Sequence, residues 1–434
     1  MKNRGPLTAI LVANAISVTG NRMVLLAIPW FVLETTGSAA KTGITGFFSF
    51  LPVVAAGFLG PVVDRMGLKR ASIAADIASG VSVALVPLLF HTVGLEFWQL
   101  LVLVFLGGLL DTPGETARSS MLPEAAGSAH TTLERATSLE DGVMRAASLV
   151  GAPLAGLLIT AIGATSVLWV DAVSFGISAI LVFIGVPHYA AKAGPEPATY
   201  WREFREGFTF IRGRRVMLLV ILTLASTNLL DAAIGAVVLP VYALRVFDSA
   251  IAFGVIVGAL GGGAVVSSLA YGAWGRRFSR RWVYVVGFVL AAVQPWVYAA
   301  YPGLTIVIIA AAVAGLGTGP INPIVAAVLL EQVPTSMRGR VLGVVKAGAW
   351  IAVPLGVLLG GYLVEALGLR STLLVIGIAY VFALVSLAFN PAAADLERPS
   401  SKDLEEEPSF SSEEERALEG AIPDPVVTLP SDRA

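Results

Sequence analysis

Of the charged residues inside or beside stretches that are otherwise apolar, ten are candidates for chemistry. Seven are acids (Asp76, Asp111, Glu115, Glu140, Asp141, Asp171 and Asp231) and three are bases (Arg22, Arg145 and Lys346). A charge at the centre of a bilayer costs roughly 2.5–3.5 kcal/mol on insertion scales, so such residues face a polar cavity or pair with one another. They are the first candidates for moving a proton or receiving a charged substrate. Asp231, between Leu230 and Ala232, has no basic neighbour in its own stretch. Its partner must come from elsewhere, or it must trade its charge for a proton, as a proton carrier does. Asp231 is therefore the first choice for coupling or for a substrate cation. Asp141 and Arg145 stand four apart, share one helix face and can pair along it. Asp111 and Arg22 also lie deep, and Arg22 calls for a carboxylate partner that the sequence does not name. Asp76, Glu115, Glu140 and Lys346 lie closer to one end of their stretches, where snorkelling or pairing at a gate accounts for them. Asp171 reads as structural.

These residues need a membrane fold to position them. Of 434 residues, 56% are hydrophobic and 14% charged, and the mean hydropathy is +0.81. A soluble domain carries about 25% charged residues, so here the apolar surface must face lipid. Residues 42–63, 146–170 or 371–394 offer the length a helical crossing needs, about 20 residues, and 282–330 offers two with a turn near Tyr301, Pro302 and Gly303. None alternates as barrel strands do. The expected fold class is an all-α integral membrane protein of twelve transmembrane helices in two pseudo-symmetric six-helix bundles. The expected spans are 8–33, 42–62, 71–92, 97–118, 136–161, 165–186, 215–243, 250–274, 281–301, 304–330, 340–366 and 371–391. The pattern that begins at Leu7 continues to Leu33, which reads as a retained first helix and not a cleaved signal.

Charge orients the chain. With both termini in the cytoplasm, nineteen of the 29 Lys and Arg fall on inner segments, among them Arg65, Lys69, Arg70, Arg118, Arg212, Arg276, Arg280 and Arg340. Only Lys41, Arg245 and Arg370 fall on outer ones. The positive-inside rule selects this orientation. The expected domains are a first bundle over 1–187, a cytoplasmic linker over 188–214, a second bundle over 215–391 and an acidic tail over 392–434. Within the linker, Tyr200 to Ile211 mixes aromatics with both charge signs, the pattern of an amphipathic helix on the membrane surface. The tail holds runs such as Glu405-Glu406-Glu407, and its composition predicts disorder.

The halves look duplicated. Pro29 and Pro240 differ by 211 positions, as do Arg65 and Arg276, and Lys69 and Arg280; Arg135 and Arg340 differ by 205, as do Gly156 and Gly361. Such a repeat lets two halves rock about a central site. In span 10, Gly315, Gly317, Gly319, Pro320 and Pro323 weaken the helix at mid-membrane, where irregular backbone must line a cavity or pack on protein. This reads as a hinge, with Asn322 near the substrate path.

Between spans 2 and 3, Gly60-Pro-Val-Val-Asp64-Arg65-Met-Gly67-Leu68-Lys69-Arg70 resembles the loop signature of the major facilitator superfamily, with Leu68 where a basic residue is usual. Other stretches resemble its drug:proton antiporter branch, which includes macrolide and enterobactin exporters: Ser17 to Pro29, Glu206-Gly207-Phe208, and Gly151-Ala152-Pro153-Leu-Ala-Gly156. The resemblance covers residues 8–391. It implies a gate in which Gly60, Asp64, Arg65, Gly67 and Lys69 act against span 11, and a cavity lined mainly by spans 1, 4, 7 and 10.

The function expected is proton-coupled efflux of amphipathic drugs by alternating access, with a dedicated carrier for one metabolite, siderophore or lysolipid as the alternative. The expected partners are a small-molecule substrate, protons and the lipid bilayer, with no nucleic acid, in a monomer of the bacterial inner membrane. No cofactor and no metal are expected. There is no cysteine, the three histidines are scattered, and no Gly-x-x-x-x-Gly-Lys-Ser/Thr loop or Gly-x-Ser-x-Gly elbow supplies an ATP motor or an enzyme nucleophile.

Overall fold

Runs of apolar residues become helices here because lipid offers the backbone no other hydrogen-bond partner. The glycines and polar caps between them decide where each helix stops. In the computed structural model, residues 3–55, 66–189, 197–334 and 337–391 are described, and the regular structure among them is helical throughout. The transmembrane series is α1 (Gly5–Thr36), α2 (Ala39–Ala55), α3 (Leu68–Thr92), α4 (Phe97–Ser120), α5 (Leu133–Ile162) and α6 (Ala164–Gly185). It continues with α7 (Arg215–Phe247), α8 (Ala250–Trp274), α9 (Arg280–Ala299), α10 (Leu304–Gln332), α11 (Arg338–Leu367) and α12 (Leu369–Ala388). Eleven of these are long and apolar enough to cross a bilayer; α2 runs to the limit of the described residues and completes the expected twelve.

Local chemistry sets the boundaries. Thr132, Ser249 and Ser279 each accept the backbone N–H three residues on and so cap α5, α8 and α9. Gly163 and Gly368 turn the chain into α6 and α12 with φ of 83° and 80°, a region open to glycine at little cost. They stand 205 positions apart, so the repeat extends to backbone conformation. The expected turn between α9 and α10 is present, with Tyr301 at φ 51°. Two long helices are irregular. α7 contains a π-turn over Ile234–Val238 just before Pro240, and α10 breaks at Gly319-Pro320 into Leu304–Thr318 and Ile321–Gln332. The latter is the discontinuity expected from the glycines and prolines. The predicted amphipathic linker helix is also present, over Pro197–Arg212.

In the first half α1 packs on α5 and α6, and α3 lies between α4 and α6. In the second half α7 packs on α11, and α9 on α10 and α12. The two largest contacts between halves are α2 on α11 and α5 on α8. The apolar core shows where the halves meet. One cluster joins Trp30, Phe31 and Leu33 of α1 to Val237, Tyr242 and Phe253 of the second half. Two others stay separate, one around Ile10, Met121 and Val182 of the first half, the other around Met217, Tyr284 and Val341 of the second. Those separate clusters lie at the end that carries Gly5, Arg215, Arg280 and Arg338, here termed the basic end. The shared cluster lies towards the far end. Among the described residues the core is therefore joined at the far end and divided at the basic end.

Candidate functional site

The far-end closure depends on glycine. Gly43 of α2 meets Gly361 of α11: a Cβ built on Gly361 would lie 2.7 Å from Gly43 Cα and 2.8 Å from the Ala39 carbonyl oxygen. Gly156 of α5 meets Gly254 of α8: a Cβ on Gly254 would lie 2.6 Å from the Ala152 carbonyl oxygen and 3.1 Å from Gly156 Cα. The sequence offsets of 211 and 205 map Gly43 onto Gly254 and Gly156 onto Gly361, so the two contacts are one interface repeated by pseudo-symmetry. Polar groups add to it. Glu365 Oε2 accepts from the Ala39 N–H at 2.9 Å and the Ala40 N–H at 3.3 Å, placing a carboxylate at the positive end of α2. Arg245 donates to the Gly37 carbonyl at 3.2 Å. Trp30 stacks on Phe253 with ring centroids 6.4 Å apart. Towards the basic end the same helices part, leaving Leu139 and Val150 of α5 and Val266 and Leu269 of α8 exposed.

A polar network occupies the first half. Arg118 and Asp76 are both fully buried and joined at 2.6 Å. Ser178 Oγ donates to the other Asp76 oxygen at 2.7 Å. Arg118 Nε donates to Asn14 Oδ1 at 2.6 Å, and Asn14 in turn donates to Glu140 at 3.2 Å. Ser119 Oγ donates to Glu140 at 2.8 Å. Five helices are thus tied through two acids and one base. The expectation that Arg118 marks an inner loop is corrected: the chain around it is the last turn of α4, and its guanidinium points into the bundle because Asp76 neutralises it there. Asp76 is accordingly a buried partner and not a snorkelling residue. Asp111 lies about 21 Å along α4 from Phe97 at 1.5 Å per residue. Its Oδ2 accepts from Asn21 of α1 at 2.8 Å, while Oδ1 is buried with no hydrogen-bond partner.

Asp231 finds a partner on another helix, the first of the two alternatives: the Tyr380 hydroxyl of α12 donates to Asp231 Oδ1. Tyr380 is buried and Asp231 is exposed. The offsets map Asp231 onto Gly20 and Tyr380 onto Phe175. At that equivalent seam, between α1 and α6, the carboxylate comes from the other helix. Asp171 is fully buried against Gly20, and Ser174 Oγ donates to its Oδ1 at 3.2 Å.

Two expected partnerships are not formed. Asp141 and Arg145 are both exposed, with no ion pair between them among the described residues. Where α5 parts from α8, each can be solvated separately, and a surface i,i+4 pair gains only a few tenths of a kcal/mol. Arg22 is exposed too and meets no carboxylate among the described residues; its stem packs on Gly151 of α5. Asn322 and Lys346 are likewise exposed. Of the motif between spans 2 and 3, Gly60, Asp64 and Arg65 lie outside the described residues, as does the acidic tail. Gly67 adopts φ 81° and precedes α3. Lys69 donates to the Phe183 carbonyl of α6 at 2.8 Å, within its own half. At the equivalent position Arg280 binds Glu331 at 2.5 and 2.7 Å. Among the described residues no group of three or more His, Cys, Asp or Glu is arranged to hold a metal.

Sequence reasoning missed Asn14, Asn21, Ser178 and Tyr380 as partners. Each is a polar residue set in a largely apolar helix. That was the available signal, but which acid each meets depends on helix neighbours far apart in the chain.

The chain matches the Major Facilitator Superfamily over residues 10–248 and 222–428. It is 31% identical over 419 residues to the multidrug efflux pump Tap of Mycobacterium tuberculosis, covering 93% of this chain and 97% of that one. It is 20% identical over 377 residues to macrolide efflux protein A of Streptococcus pyogenes, covering 85% and 91%. Its fold superposes on the crystal structure of a nucleoside transporter NupG variant with TM-score 0.76 at 12% identity, over 88% of this chain and 100% of that one.

Proposed function

The chain belongs to the major facilitator superfamily, and from that premise we propose that it is a proton-coupled exporter of amphipathic small molecules in the bacterial inner membrane, with both termini in the cytoplasm. The observation that carries the coupling is a pair of acids, one in each half. Asp111 meets the Asn21 amide and Asp231 meets the Tyr380 hydroxyl, both neutral donors. A carboxyl deep in a membrane whose hydrogen-bond donor is neutral can neutralise its charge with a proton or with a cationic substrate. Competition between those two for one acid is the chemistry of antiport.

The direction of transport is supported by the names of the relatives, a multidrug pump and a macrolide exporter. The state described here suits loading for export, since the halves part at the basic end, the cytoplasmic end in the proposed orientation. Rocking would close that end and separate Gly43 from Gly361 and Gly156 from Gly254. The two bundles over 1–187 and 215–391 move as the rocking units, bridged by the linker over 188–214. Exposed Arg22, Asp141, Arg145 and Asn322 would line the path, and Gly60, Asp64, Arg65, Gly67 and Lys69 would serve the gate at the basic end.

Sealed proteoliposomes with a trapped pH dye test this reading against a panel of lipophilic cations and neutral drugs. Drug-dependent proton movement is expected in the wild type and lost in Asp231→Asn or Asp111→Asn, with Asp141→Asn assayed beside them. Folded wild-type protein that moves no protons with any compound, under an imposed gradient, would refute proton-coupled drug export for that panel.

A further inference from the structure

A basic surface pocket of about 580 Å³ lies where the linker helix rests on the start of α11. Its polar lining is Arg202, Arg205, Glu206, Thr209 and Arg340, with Phe210 as an apolar wall. The linker helix sits tightly on its support: a Cβ on Gly207 would lie 2.7 Å from the Arg340 carbonyl oxygen. Glu206 binds Arg340 at 2.7 Å and Arg202 at 3.7 Å through its two oxygens. Among the described lining residues three are arginines and one is a carboxylate. Arg205 is exposed and forms no ion pair among the described residues. A further guanidinium lies close by, with Arg214 stacked 3.8 Å from the centre of the Phe210 ring.

The pocket also has a defined level. It lies at the first turns of α7 and α11, beside Arg215 and Arg338, where the apolar spans begin. That is the height of lipid phosphates. The linker helix itself presents Phe208, 51% exposed, beside its charges, as helices lying in a membrane surface do. Guanidinium forks match phosphate oxygens in geometry and charge. A free phosphate would satisfy the arginines but would leave the apolar wall and Phe208 without a use.

We propose that this pocket binds the phosphate of an anionic membrane phospholipid and so fastens the linker between the halves to the first turn of α11. The site is independent of the transported substrate. An anionic surface attracts each nearby Lys or Arg by an amount that corresponds to about a fivefold change in affinity, so removal of two arginines predicts about a 30-fold loss.

The test is native mass spectrometry of the full chain in detergent, titrated with short-chain phosphatidylglycerol, phosphatidylcholine or inorganic phosphate. One tight phosphatidylglycerol site is expected on the wild type, weakened about 30-fold in Arg202→Gln/Arg205→Gln and largely retained in the charge-preserving Arg202→Lys/Arg205→Lys. Equal thermal unfolding of the two double variants separates lost binding from lost folding. Phosphatidylglycerol binding indifferent to both double variants, equal binding of phosphatidylcholine, or displacement of the lipid by millimolar inorganic phosphate would each overturn the proposal.

Discussion

Gly361→Ala should displace the conformational balance away from far-end closure. The added methyl carbon would lie 2.7 Å from Gly43 Cα and 2.8 Å from the Ala39 carbonyl oxygen, whereas carbon contacts are most favourable at about 3.5–4.0 Å. Both obstructing atoms are backbone, so no side chain can swing aside. Overpacking of this kind costs roughly 1–3 kcal/mol, and it acts only while α2 and α11 touch. A penalty of about 2 kcal/mol corresponds to a shift of about 30-fold in the ratio of closed to open far ends. The chain has no cysteine, so Thr36→Cys/Val246→Cys supplies its only two thiols, both at exposed far-end positions in opposite halves. Double electron–electron resonance between spin labels on that pair should report a single short distance in the parent and a second, longer population in Gly361→Ala. Gly339→Ala, whose added Cβ meets nothing within 4 Å, should leave the distribution unchanged. An unaltered distribution in folded Gly361→Ala would refute the claim that glycine contact sets far-end closure.

Asp76→Asn should strand a buried arginine and lower stability by about 3–5 kcal/mol, read as a drop in thermal unfolding temperature in detergent; Asp76→Asn/Arg118→Gln should lose less than that single change. Tyr380→Phe should reduce drug-dependent proton flux by about fivefold, the value of about one net hydrogen bond, and by less than Asp231→Asn does. Glu365→Gln should weaken far-end closure in the same direction as Gly361→Ala but by about 1 kcal/mol or less, visible with the same labelled cysteine pair.

The broad architecture was legible because hydropathy and charge act locally. About 20 apolar residues need a bilayer wherever they occur, so the twelve spans and the broken tenth helix followed from composition and from Gly319-Pro320. The repeat was legible for a similar reason: matched positions such as Pro29 and Pro240, or Gly156 and Gly361, carry the same residue type. The site was less legible. Asp231 reads as needing either a partner from elsewhere or a proton, and nothing in its own segment points to Tyr380, 149 positions away. Asp141 and Arg145 looked like a pair by spacing, and the parting of α5 from α8 left them apart.

By itself, then, the amino-acid sequence determined that this chain folds as a membrane transporter of two related halves, with its basic loops on one side and a few acids held at depth. Tertiary structure alone decided what those acids meet. Arg118 became a buried counter-ion because α3 delivers Asp76 to it, and Gly43 became part of the far-end contact because α11 delivers Gly361. The physical reason is that hydropathy is a property of each segment, whereas an ion pair, a hydrogen bond or a glycine contact is a property of two helices and of the few ångströms between them.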